Sequence, residues 1–367
     1  MSDEPGASAS YADAGVDTQA GERAVDLMRA AIAGATRSEV VGDFGGFAGL
    51  FDISAFKTMT KPLLATSTDG VGTKIDVARR MDIHDTVGID LVAMVVDDLV
   101  VCGAQPLFMT DYIAVGKVHP ERVAAIVTGI AMGCEIAGCA LVGGETAEHP
   151  GLLGVDDYDI AGAGTGIVDA VNLLGPDRVV AGDVAIAIGS SGLHSNGYSL
   201  ARHVAFNIAG LDVHDHISEL GRTLGEELLE PTKIYAKDIL NLISAIEVHS
   251  ISHITGGGIA ANVARVLPSD LALDLDRSTW TPQAIISWLQ ARGNISQAEA
   301  EKTFNMGIGM LVFVPAPIAQ LAITSLQASG QSAWVCGEVR KRGVDEQGDA
   351  KAKGGNGGAV TLVSNYK

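Results

Sequence analysis

The chain has 367 residues, enough for about two domains that each bury a core. Its 44 acidic and 25 basic residues leave a net charge of −19, a field that repels phosphate backbones and anionic lipid surfaces and so excludes a broad nucleic-acid or membrane-surface role. At 47% hydrophobic and 19% charged it is not a disordered acidic polymer, and no apolar run reaches the roughly 20 residues of a membrane span, because Asp97 and Asp98 interrupt the longest.

Met1 to Ser10 lacks a basic region followed by an apolar one, so the expected address is cytoplasmic. The segment Gly42-Asp43-Phe44-Gly45-Gly46-Phe47-Ala48-Gly49 alternates backbone freedom with aromatic anchors, which suits either a loop over a ligand or a plain connector. Leu63 to Thr68 reads as a buried strand entering Asp69-Gly70-Val71-Gly72, with Thr73 and Lys74 opening the next helix. Thr86 to Cys102 reads as an apolar helix carrying three acids. Asp90 and Asp97, seven apart, share a face, and Asp98 is turned about 80° from Asp90. That face is narrow for a solvated one, so an acidic site is expected there. Leu107 to Val115 reads as a strand, Glu121 to Gly138 as a helix, and Ala140 to Val142 as a strand running into a turn at Gly143-Gly144-Glu145-Thr146. This alternation indicates α/β layers.

Ala170 to Arg178 is the expected linker. Beyond it, Val184 to Ile188 is a strand before Gly189-Ser190-Ser191-Gly192-Leu193-His194-Ser195-Asn196-Gly197, and a helix resumes at Tyr198. Val248 to Ile254 alternates as a strand before Thr255-Gly256-Gly257-Gly258, and Ile259 to Leu267 is helical. Lys341 to Gly358, rich in Lys and Gly, is expected to be a flexible hairpin loop before a last strand at 359–363. The expected division is therefore 1–172, 173–345, then the 341–358 loop and that strand. Cys102, Cys134, Cys139 and Cys336 match no zinc or redox spacing and read as buried thiols.

The 45 glycines, about 12% of the chain against roughly 7% in average usage, concentrate in these clusters. Four of them combine a strand with a glycine-rich turn and a carboxylate or hydroxyl, at Asp69, Glu145, Ser190 to Asn196 and Thr255 to Gly258. Such turns place backbone N–H groups where phosphate oxygens can bind. An acidic chain needs a divalent cation to accept polyphosphate, and Asp69, Asp98 and Glu145 are the expected Mg²⁺ ligands. Lys74 is either a point charge on the phosphates or a surface lysine. No Walker or dinucleotide fingerprint occurs. His194 and His253, each in a glycine-rich turn, are either proton carriers or structural residues holding their loops.

These segments coincide with one family. Ser10 to Asp17 (SYADAGVD), Ser67 to Lys74, His84 to Met94, Leu107 to Lys117, Gly143 to Glu148, His194 to Leu200 and Phe304 to Met310 occur in its order. From about residue 10 to residue 340 the chain resembles the phosphoribosylformylglycinamidine cyclo-ligase (aminoimidazole ribonucleotide synthetase) family. The resemblance implies two α/β domains, a homodimer whose N-terminal sheets form a barrel, and a small-molecule substrate, formylglycinamidine ribonucleotide. It implies that ATP phosphorylates the formyl-amide oxygen, an amidine nitrogen attacks, and phosphate leaves as the imidazole closes.

Carried onto this sequence, Asp69 and Asp98 hold Mg²⁺-ATP with Glu145 as a further ligand, and Lys74 contacts phosphate. Gly45 and Gly46 belong to a loop over the nucleotide, with Gly70 and Gly144 beside it. His194, Ser195 and Asn196 face substrate, and His253 with Thr255, Gly256 and Gly257 completes the site. Position 97 is Asp where the family commonly has Asn, and the 341–358 loop is longer than usual. The alternatives are another ATP-dependent relative, such as formylglycinamidine ribonucleotide synthetase, and a non-catalytic nucleotide-binding scaffold. A selenophosphate synthetase would need a reactive Cys early in the chain, and none precedes Cys102.

Overall fold

The computed structural model describes residues 18–42, 46–352 and 354–367. The SYADAGVD segment and Gly45 lie outside them. After helix α1 (Thr18–Gly34) comes a short pairing of β1 (Val40–Val41) with β2 (Leu50–Phe51), then β3 (Pro62–Gly70), α2 (Ile75–Met81), α3 (Thr86–Val100), β4 (Gln105–Val115), α4 (Pro120–Ala137), β5 (Ala140–Glu148) and β6 (Tyr158–Asp169). The four long strands form one sheet in the order β3-β6-β4-β5, antiparallel except for the β4/β5 pair.

Strand parity decides which side chains meet. Along β3, Leu64, Thr66 and Thr68 are exposed while Leu63, Ala65, Ser67 and Asp69 turn inward. The register runs Asp69, Gly162, Asp111, Gly144 across the four strands, so Asp69 and Asp111 share the inner face. Helices α3 and α4 cover that face. They approach closely because Gly129 carries no side chain: a Cβ there would stand 1.7 Å from the Asp85 carbonyl oxygen.

The remainder comprises β7 (Asp183–Gly189), α5 (Tyr198–Arg202), β8 (His216–Ile217) paired with β9 (Arg222–Thr223), α6 (Leu224–Leu228), α7 (Ala236–Ala245), β10 (Ser250–His253), α8 (Gly258–Ala264), β11 (Leu271–Asp276), α9 (Ala284–Gly293), α10 (Gln297–Thr303), β12 (Ile308–Pro315), α11 (Ala319–Ala328), β13 (Ala333–Lys341) and β14 (Ala359–Val363). Six of these strands form a sheet in the order β10-β12-β7-β13-β11-β14. Its central strands β7 and β12 are apolar and buried through almost their whole length, as a sheet covered on both faces requires.

Two expectations fail here. The stretch before the last strand is not a hairpin loop, because β14 pairs with β11, which lies between it and β13. The connection from β13 passes β11 to reach the sheet edge, held by Arg340 on Glu346, by Asp349 accepting from Leu362 N and by Gly358 N donating to Ala264 O. Gly143-Gly144-Glu145-Thr146 is not a turn either. It is the middle of β5, and its backbone groups enter the ladder with β4 instead of facing a ligand.

Candidate active site

Helix α3 meets the second half of the chain through carboxylates. Asp90, fully buried, accepts from Thr232 N at 2.7 Å and Thr232 Oγ1 at 2.5 Å, and takes the Lys74 ammonium at 2.9 Å. One helical repeat on, Asp97 accepts from Tyr235 N at 3.0 Å. The shared face of Asp90 and Asp97 is thus a docking face for residues 232–235, not an acidic ligand site. Asp98, turned off that face, keeps 45% of its side chain exposed and accepts from His253 Nδ1 at 2.9 Å.

His253 ends β10 and is buried, with Nε2 lacking a hydrogen-bond partner among the described residues. Burial alone would lower its proton affinity, but the bond to Asp98 and the charges of Asp97, Asp98 and Asp69 outweigh it, and the net effect is upward. His194 behaves oppositely. Burial, then the charges of His253, Lys74 and Lys233, hold it well below the ordinary imidazole range. It stays neutral, and because its Nε2 accepts the Ser191 N–H at 3.2 Å, its proton sits on Nδ1. That Nδ1 is buried without a partner among the described residues. The site therefore presents a neutral N–H donor at His194 and, at His253, a ring whose proton affinity the nearby acids raise.

The glycine loops of the second half are fixed by two buried amides that sequence reasoning did not single out. Asn305 donates to Gly192 O at 2.8 Å and accepts from Gly307 N at 2.9 Å. Asn262 donates to Gly258 O at 2.8 Å and Thr255 O at 3.0 Å. Ser195 Oγ lies 3.1 Å from Thr232 Oγ1, and Asn196 Oδ1 lies beside Gly256, 3.5 Å from where a Cβ would stand. The structure so brings together His194, Ser195, Asn196, His253, Asp98 and the Thr255-Gly256-Gly257 turn, with Asp69 and Gly70 at the end of β3.

Two assigned residues do not join them as expected. Lys74 is 0% exposed, and its three N–H bonds go to Asp90, to His194 O at 3.1 Å and to Glu230 O at 2.7 Å. No proton remains for a phosphate. Burial lowers its proton affinity, and the Asp90 charge opposes that. Glu145 is separated from Asp69 by the full width of the sheet, about 14 Å at roughly 4.8 Å per strand. It also pairs with Tyr112, which puts it on the opposite face.

Gly144 lies on that far edge too, and Gly46 is exposed in the segment before β2. Gly144 has a role the sequence did not show: a Cβ there would stand 2.1 Å from Asp111 Oδ1. Asp111 is itself a missed residue. Burial pushes its carboxyl up to about 7, in a cleft of about 250 Å³ between α1, α4 and β5. Among the described residues, no group of three or more His, Cys, Asp or Glu is arranged to hold a metal ion. Asp69 and Asp98 still fit Mg²⁺, which takes a few carboxylates and keeps its other positions for water and phosphate oxygens.

The family profile described as AIR synthase related protein, N-terminal domain, matches residues 50–168, and its C-terminal counterpart matches residues 180–347. The chain is 46% identical over 339 residues to the phosphoribosylformylglycinamidine cyclo-ligase of Desulfatibacillum aliphaticivorans, covering 92% of this chain and 97% of that one. It is 48% identical over 331 residues to the enzyme of that name from Syntrophotalea carbinolica, covering 90% and 94%. Among solved structures, thiamine-monophosphate kinase from Stenotrophomonas maltophilia shares the fold at a TM-score of 0.64 and 18% identity, over 92% of this chain and 95% of that one. The hydrogenase maturation protein HypE in complex with ATP does so at 0.62 and 15%, over 88% and 87%. Two matched domains and near-half identity along nine-tenths of the chain place this protein in the phosphoribosylformylglycinamidine cyclo-ligase family.

Proposed function

We infer that the protein closes formylglycinamidine ribonucleotide to 5-aminoimidazole ribonucleotide, with ATP converted to ADP and phosphate, as a step of purine biosynthesis in the cytoplasm. The observation that carries the reading at the site is the pair of buried, unpartnered nitrogens, His194 Nδ1 and His253 Nε2, beside the carboxylates Asp98 and Asp69. Two buried imidazoles, one of them with its proton affinity raised by neighbouring acids, suit the charge that builds on a phosphoryl group or a carbonyl oxygen. Asp69 and Asp98 would hold Mg²⁺, which when bound supplies charge neutralisation to the polyphosphate.

His194 donates from Nδ1 to the transferring phosphoryl group or the amide oxygen. His253, steadied by Asp98, contributes positive charge from Nε2. Ser195 and Asn196 orient the substrate from the adjoining loop, and the Thr255–Gly257 turn offers backbone N–H groups to it. Burial of both rings keeps water from the phosphorylated amide. On this reading the half up to residue 172 binds nucleotide and metal, and the half from 173 completes the site.

The structure of HypE holding ATP in the same fold supports the nucleotide assignment. A homodimer is proposed on the open face of the first sheet, where Leu64, 69% exposed, and Tyr112 stand uncovered. Leu64→Asp is expected to shift a sedimenting dimer to monomer, and a wild-type chain that sediments as a monomer refutes it. The activity is tested by following ADP and aminoimidazole ribonucleotide together from formylglycinamidine ribonucleotide and Mg²⁺-ATP. Equal yields are expected, and ADP without the imidazole product would assign the chain to another ATP-dependent chemistry.

A further inference from the structure

We propose that Lys74 is a positioning residue: its buried ammonium, held by Asp90, ties down the backbone carbonyl of His194 and so fixes where His194 Nδ1 points. This rests on the function proposed above for His194. The residue lies in the turn after β3, in the first half of the chain, and its bonds to His194 O and Glu230 O reach 120 and 156 residues along the sequence. Both flanks of His194 are held by one connected set. The carbonyl is held by Lys74. The next side chain, Ser195, meets Thr232, whose N–H and hydroxyl both go to the same Asp90 oxygen that takes the ammonium.

His194 needs such restraint. Its φ is +60°, in the left-handed region that non-glycine residues seldom occupy, and among the described residues its ring has a single hydrogen bond, from Ser191 N. The other end of the loop is fixed independently by Asn305 on Gly192. Lys74 therefore controls the part of the loop that carries the imidazole, and the Tyr198 ring, 5.5 Å from the ammonium, closes the chamber around it. General docking of the two halves has a separate anchor in Asp97 and Tyr235.

The test is a double-mutant cycle of Lys74→Met with His194→Ala, read as kcat and KM for formylglycinamidine ribonucleotide and ATP in variants whose near-ultraviolet circular dichroism matches wild type. Lys74→Met alone is expected to lower kcat at least tenfold with both KM values within about threefold. On the His194→Ala background it is expected to change kcat by less than about twofold, because the group it aims is gone. Losses that multiply in the double variant, or a single variant with kcat within about threefold of wild type, overturn the proposal. If Lys74→Met does not fold, Asp90→Asn replaces it in the same cycle, since the amide keeps an acceptor for Thr232 while loosening the ammonium. Failure of the underlying reading has a different signature: no imidazole product from the wild-type chain, or full turnover by His194→Ala.

Discussion

Replacing Asp97 by Asn removes a charge that the fold buries at a cost. Burial pushes the Asp97 carboxyl up from an ordinary 3.8 to about 7, while the His253 charge and the Tyr235 N–H pull it back. The unfolded chain loses this proton near its ordinary value, so between there and pH 7 the folded protein carries a proton that the unfolded chain does not. Stability then falls as pH rises across that window. Each pH unit is worth about 1.4 kcal/mol, so the wild-type protein should lose roughly 2–3 kcal/mol between pH 5 and pH 8 through this group. His253, whose proton affinity is raised, adds a slope of the same sign, and its bond to Asp98 keeps part of that slope in the variant. Asn cannot ionise, yet its side-chain oxygen can still accept the Tyr235 N–H. Urea unfolding at pH 5 and pH 8, in buffers with a chelator, should therefore show the stability advantage of Asp97→Asn growing by roughly 2–3 kcal/mol toward the higher pH. A difference that does not change with pH would refute the buried, protonated carboxyl.

Three further substitutions probe the carboxylates of the site and the far edge of the first sheet. Asp69→Asn and Asp98→Asn should each lower turnover at least tenfold, about 1.4 kcal/mol of barrier, and raise the Mg²⁺ concentration needed for half-maximal rate; normal rates and unshifted Mg²⁺ dependence in both would remove them from the metal site. Gly144→Ala drives a methyl group against Asp111 Oδ1 and should destabilise the first sheet by about 1–3 kcal/mol, read as a lower melting temperature, while an unchanged melting temperature would mean that Asp111 moves aside freely.

Much of this was legible because local pattern and global fold agree. The apolar period of α3 and the glycine turn that ends β3 each declare an element within their own residues, although the expected buried strand is exposed on alternate residues. The histidines and their loops were legible for the same reason: a His set among glycines and hydroxyls announces itself locally. What escaped was set by distant partners. Gly143-Gly144 carries the signature of a turn, and only pairing with Thr110 and Asp111 of β4 makes it a strand. The last strand reads as one half of a hairpin until its neighbour is known to be β11.

Lys74 shows why such errors concentrate at the site. A lysine that follows a glycine turn and opens a helix has the local chemistry of a phosphate contact, and nothing within ten residues contradicts that reading. Its burial is decided by Asp90 sixteen residues on and by carbonyls from the other half of the chain. A buried ammonium survives only where every proton finds an acceptor. The same charge that would attract a free phosphate is thereby spent on the His194 carbonyl, and the function proposed above leaves the anion to the histidines and the metal.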